Sequence, residues 1–327
     1  MAIIALNRFR WILMLLAPGP ILLGSMALSR YARSDRPAPP STNEVVIRGQ
    51  QPEAVPSVVA DSDERLVAAC EEHANVLRRR LGESCHVVTA APFVIAGDLS
   101  TEELAKWQSQ TIAPAAEALA LRYFAQRPTE PITVLLWSSH DSYEHYAEQL
   151  FGDRGISIYG YYKTRERTLV LNIATGAGTL VHELTHALVA FDCPDVPDWF
   201  NEGLASLHEQ CRFRSDERGP LIEGLVNWRL KRLQSEALAG ELPPLEILLR
   251  DDDFRGQREG INYAQARYLC LYLQERKLLE RFYHELRLNI ERDTTGEATL
   301  QAMFPGQSWT EINADYLRFV RNLPPVE

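Results

Sequence analysis

His182-Glu183-Leu184-Thr185-His186 constrains this chain more than any other stretch. Two histidines four residues apart fall on one face of a helix, one turn from each other. Thr179-Leu180-Val181 before them and Ala187 to Phe191 after them are apolar almost all round, which predicts a buried helix over 179–191. Burying two imidazoles and a carboxylate together costs several kcal/mol unless something compensates. A metal ion compensates all three. The spacing lets both histidines reach one zinc ion at roughly 2.0–2.1 Å. Glu183 can instead reach a water activated by that ion, which is the place of a general base. With only eight histidines in 327 residues, chance seldom produces this pentapeptide.

A catalytic zinc takes three protein ligands and keeps one position open. The best third ligand is Glu202, in Pro197-Asp198-Trp199-Phe200-Asn201-Glu202-Gly203-Leu204-Ala205-Ser206. Asp198 after Pro197 reads as a helix N-cap, which puts Glu202 in the first turns of a second helix. Ser206 follows one turn later on the same face and can support a ligand from behind. Two alternatives stay open. Asp192 stands six residues after His186, but Val189 continues the helix where a sharp turn is needed. His208 lies six residues past Glu202, roughly 120° round an ideal helix, so the two face apart.

HELTH followed by WFNEGLAS resembles the gluzincin metallopeptidases, and within them the small peptidase MA-like proteins, where HExxH, a short loop and a W-x-x-E-G-x-A helix follow one another. The resemblance covers about residues 85–280, loosely except at HELTH and NEGLA. It implies bound Zn2+ and a peptide or protein substrate, and it singles out no particular one. It also implies a tyrosine hydroxyl near the metal from a downstream helix. Tyr263 matches that place and is the candidate oxyanion donor; Tyr161 and Tyr162 are weaker ones. Residues 160–172 look like the edge strand beside the catalytic helix, and an edge at 168–173 can pair with an extended peptide. The expected activity is a zinc metallopeptidase with His182, His186 and Glu202 as ligands and Glu183 as base. The other reading is a non-catalytic, zinc-bearing peptide-binding or envelope scaffold domain. Glu183 speaks against it, since a structural site has no use for a base and closes its fourth position.

Elements elsewhere predict the frame. Strands are expected over His86–Ile95 (broken at Ala90-Ala91-Pro92), Pro131–Trp137 and Thr168–Asn172, and helices over Thr101–Gln126 and His140–Leu150. Beyond residue 180, helices are expected over 198–210, 221–238, 263–276, 278–290 and 309–323. Strands first and helices later give an α+β fold. A small mixed-sheet lobe (61–175) is followed by a mainly helical lobe (176–327), with the zinc between them.

Residues 1–30 read as a signal peptide or membrane anchor, because residues 11–28 carry no charge and Arg8 and Arg10 precede them. Residues 31–60 are a Pro-bearing linker. Together these predict export to the cell envelope, with a possible membrane tether through 11–28. Five cysteines suit that compartment. Cys70 can pair with Cys85 and Cys193 with Cys211, leaving Cys270 as a buried thiol; the alternative is five reduced thiols in the core. A net charge of −10 makes an acidic domain a poor binder of nucleic acid and of anionic membrane surfaces, and no nucleic-acid partner is expected. Asp251-Asp252-Asp253 reads as a solvated turn.

Overall fold

Helix α1 (Val58–Leu81) leads into a hairpin of β1 (His86–Ala90) and β2 (Phe93–Gly97). The computed structural model describes residues 58–324. The expected signal or anchor segment, and the expected linker as far as residue 57, lie outside the described residues. Among the described residues, no helix is long and apolar enough to cross a membrane. Next come α2 (Thr101–Trp107) and α3 (Ala113–Arg122), joined through a single π turn at Gln108–Ile112 into one bent rod. Ser100 caps it with Glu103 in the reciprocal box that the sequence announces. Then follow β3 (Ile132–Trp137), α4 (His140–Phe151), β4 (Gly160–Lys163) and β5 (Thr168–Asn172).

The five strands make one mixed sheet in the order β1-β2-β3-β5-β4. The inner three are parallel and the outer two run antiparallel to their neighbours. Every residue of β2, β3 and β5 is buried, as expected of parallel strands covered on both faces. Alternation sorts their side chains. Val94, Ala96, Leu135, Trp137 and Val170 pack with residues of α1 and α4, whereas Ile95, Val134, Leu136, Leu169 and Leu171 join the main core. The anticipated edge strand at 168–173 is thus corrected. β5 is held between β3 and β4, and β4, hydrogen-bonded on one side only, forms that margin of the sheet.

The remainder is largely helical. It comprises α5 (Ala177–Asp192), α6 (Asp198–Glu209), a hairpin of β6 (Cys211–Asp216) and β7 (Gly219–Gly224), and then α7 (Arg229–Ala239) and α8 (Leu245–Leu249). The chain ends in α9 (Glu259–Glu275), α10 (Leu279–Asn289), α11 (Glu297–Ala302) and α12 (Trp309–Asn322). The protein is therefore α+β, with a small mixed sheet and helices. The helix expected over 221–238 starts only at Arg229. Arg122 on α3 binds the carbonyls of Gly219 and Pro220 and the Asp216 carboxylate, and pins 211–224 as a hairpin.

α6 lies against α9 so closely that only glycine fits at 203. A Cβ there would meet the Ala266 carbonyl oxygen at 2.8 Å and Cys270 Sγ at 2.9 Å. Gly203→Ala is expected to lower stability by about 1–3 kcal/mol through overpacking. A chemical denaturation curve should show this as a lower midpoint at unchanged slope.

All five cysteines are free thiols, so neither expected disulfide is present. Cys193 ends α5 and Cys211 begins β6, with the whole of α6, about 18 Å long, between them. A bridge needs Cα atoms about 4.4–6.8 Å apart. Cys70 and Cys85 fill the core beneath α1 as small apolar groups, and burial pushes the Cys70 thiol up.

Candidate metal centre

α5 and α6 are joined by only five residues, and they bring His182, His186 and Glu202 together. His182 Nε2 and His186 Nε2 are 3.1 Å apart, and Glu202 Oε2 lies 3.6 Å from the first and 3.5 Å from the second. The circle through these three atoms has a radius of about 2.0 Å, close to the Zn–N and Zn–O bond lengths of roughly 2.0–2.2 Å. The triangle thus matches one face of a zinc tetrahedron. Glu202 Oε2 is buried with no hydrogen-bond partner by strict geometry, and it points at the histidine pair. A buried carboxylate oxygen facing two imidazole nitrogens is a group of donors that could hold a cation.

Electrostatics agree. Burial alone would raise the Glu202 carboxyl, but His182 and His186 overcome it and hold the group well below the usual carboxylate range. Burial would likewise lower His186, yet Glu202 and then Glu183 make it more basic than usual. The pocket therefore favours positive charge.

Neighbours fix the orientation of the donors. His186 Nδ1–H donates to Asn201 Oδ1 at 2.9 Å, which leaves the Nε2 lone pair for a metal. The other oxygen of Glu202, Oε1, accepts from Arg255 at 2.5 Å, so one oxygen is tethered while Oε2 faces the histidines. Arg255 rides on the loop 250–258. Asp251 holds that loop by accepting from Arg258 and Asn262, while Asp252 and Asp253 form the expected solvated turn. Tyr263, in the first turns of α9, places its hydroxyl within hydrogen-bonding reach of the Glu202 carboxylate.

Other candidates separate from the centre. Asp192 is buried, with Oδ1 accepting from the amides of Ala125 and Gln126 and Oδ2 from the Tyr283 hydroxyl. It ties the far end of α5 to α3 and α10 and has no lone pair facing the histidines. Asp192→Ala is expected to cost on the order of 2–3 kcal/mol and to leave metal stoichiometry unchanged; melting curves and metal analysis of one preparation check both. His208 is fully buried against Tyr123, away from the cleft, and burial reinforced by Arg267 and His182 pushes it down to about 3. Ser206, expected to support a ligand, is fully buried with its hydroxyl unpartnered. The Tyr161 hydroxyl is committed to Asp153 at 2.6 Å. Asp198 is the first helical residue rather than the cap, where its charge still favours the N-terminus of α6.

The three donors line an open cleft of about 1020 Å³. Its walls also include Tyr161 and Tyr162 of β4, Glu183 of α5, Arg255 and Tyr263. Asn201 and Arg255 are the functional neighbours that sequence reasoning missed. Asn201 was discoverable, since it directly precedes Glu202 and lies about 100° from it on the helix. Arg255 reaches the centre across 53 residues and leaves no local signal. Compared with protein-family models and with curated proteins, the chain matches none.

Proposed function

We propose that the chain is a zinc-dependent metallopeptidase of gluzincin type, with the metal held by His182, His186 and Glu202. The observation that carries this reading is the triangle of donors at 3.1–3.6 Å on the wall of an open cleft, with Glu183 lining the same cleft. In this reading the centre sits between the sheet part of the chain and its helical part. A zinc ion bound there supplies Lewis acidity and makes water a nucleophile near neutral pH. Glu183 takes the proton of the attacking water and passes it to the leaving amine, the two roles of one carboxylate in acid–base catalysis. Tyr263 donates to the carbonyl oxygen as negative charge grows on it. Arg255 and Asn201 touch no reacting atom; they position Glu202 and His186. β4 offers its outer backbone edge to an extended peptide, which lays main chain along the cleft without selecting side chains strongly.

The full-length chain in detergent, loaded with zinc, should cleave within a mixture of random peptides, detected as new termini by mass spectrometry. A chelator should abolish that cleavage and added zinc should restore it. A chain that carries about one zinc and cleaves nothing would overturn the peptidase in favour of a non-catalytic zinc-bearing domain.

A further inference from the structure

Trp228 is 68% exposed although it lines the cleft that holds the candidate centre. A lone exposed apolar side chain is ordinary; a rigidly mounted one on a cleft wall is not. The backbone beside it is fixed from the core. The Asn227 N–H donates to the Tyr268 hydroxyl at 2.9 Å, that hydroxyl donates to the Asn227 carbonyl at 3.1 Å, and Asn227 Oδ1 accepts the Arg229 N–H. The indole itself is fixed from one side. The Arg229 guanidinium lies 4.3 Å from its ring centroid and is anchored by Glu209 at 2.7 Å. Arg229 also stands 6.0 Å from the Tyr263 ring. One face of Trp228 is thus covered by a cation whose charge Glu209 already satisfies, and the exposed remainder is a flat apolar surface. On the strand side of the same cleft Tyr159 is 54% exposed, with its carbonyl held by the Asn172 amide at 2.9 Å.

We infer that Trp228, with Tyr159 lining the same cleft, is a platform for an aromatic or large aliphatic side chain of a bound peptide. This makes Trp228 a specificity-determining residue, and the inference rests on the peptidase reading above. Stacked aromatics gain from offset contact beyond simple burial, and a pre-oriented ring loses little entropy on binding. Neutralisation of Arg229 by Glu209 removes the reason to select a charged side chain there.

The test uses internally quenched peptides that differ only in Phe, Leu, Ala or Asp at each position flanking the cleaved bond. The measured quantity is the Phe-to-Ala ratio of kcat/KM for the wild-type chain, Trp228→Ala and Trp228→Phe, each checked for zinc content and melting temperature. The ratio should fall about three- to tenfold in Trp228→Ala and be largely kept in Trp228→Phe. An unchanged ratio in a folded, zinc-loaded Trp228→Ala chain overturns the platform and leaves the peptidase standing. If the wild type cleaves no peptide, the peptidase reading fails first, and tryptophan fluorescence then decides the platform. A Phe peptide should change the emission of the wild-type chain but not of Trp228→Phe; no response in either removes the platform as well.

Discussion

Glu183→Gln is expected to keep about one zinc per chain and to lose peptide hydrolysis by roughly a hundred- to ten-thousand-fold, the range for removing a positioned general base. Glutamine preserves the shape and removes the basic oxygen. Because Glu183 is not among the three clustered donors, metal loading should not notice the change. Its effect should appear in kcat, since proton transfer belongs to the reacting complex rather than to binding. Equal turnover in the variant would remove Glu183 from the mechanism. Loss of zinc along with activity would make it part of the metal's support instead.

Glu202→Ala should do the reverse and strike the metal first. Two neutral imidazoles remain after the change, and the only charged donor is gone. The informative comparison is stability with and without zinc. In chelator the variant should be somewhat less stable than the wild type at neutral pH, because it loses a carboxylate that His182 and His186 hold below its usual range and that Arg255 also pairs. With zinc at a thousandfold excess over its dissociation constant, the wild-type chain should gain about 4 kcal/mol by linkage, and the variant little of it. Asn201→Ala should fall between, with a ten- to hundredfold weaker metal affinity, because His186 keeps its place but loses the bond that sets its tautomer. A Glu202→Ala chain that still gains the full increment would move the third ligand elsewhere.

The local parts of this architecture could be read from the chain. α5 and α6 announced themselves through apolar periodicity and the Pro197-Asp198 start, and β3 and β5 through short apolar runs. α1 was readable but unread: Leu66, Cys70, Ala74, Leu77 and Leu81 recur at helical spacing, and the last four of them are buried. What escaped depended on distant partners. The second half of β7, from Leu221, reads as the start of a helix until Arg122, nearly a hundred residues away, binds the hairpin turn. Sheet order cannot be read from strand sequences, which is why β5 was mistaken for a margin. Of the two cysteine readings, the five reduced thiols hold, since α6, itself legible, keeps Cys193 and Cys211 at opposite ends of a rod. At the centre, the residues of one helix or its successor were legible, while Arg255 and the fate of Asp192 were not.

Gly203 also sets a timetable for biosynthesis. The two histidines leave the ribosome on one helix and Glu202 follows soon after, yet the seat of α6 is the face of α9 around Ala266 and Cys270. Until that face has emerged, α6 is held to the histidine helix by their mutual packing and the short connection alone. The far end of α5 waits longer still, for Tyr283 to cap Asp192 from 91 residues downstream. Between the synthesis of Glu202 and that of Cys270, a nascent chain carries all three donors without the α9 face against which α6 packs. The cleft that His182, His186 and Glu202 line therefore takes its final shape only after the α9 face has been made.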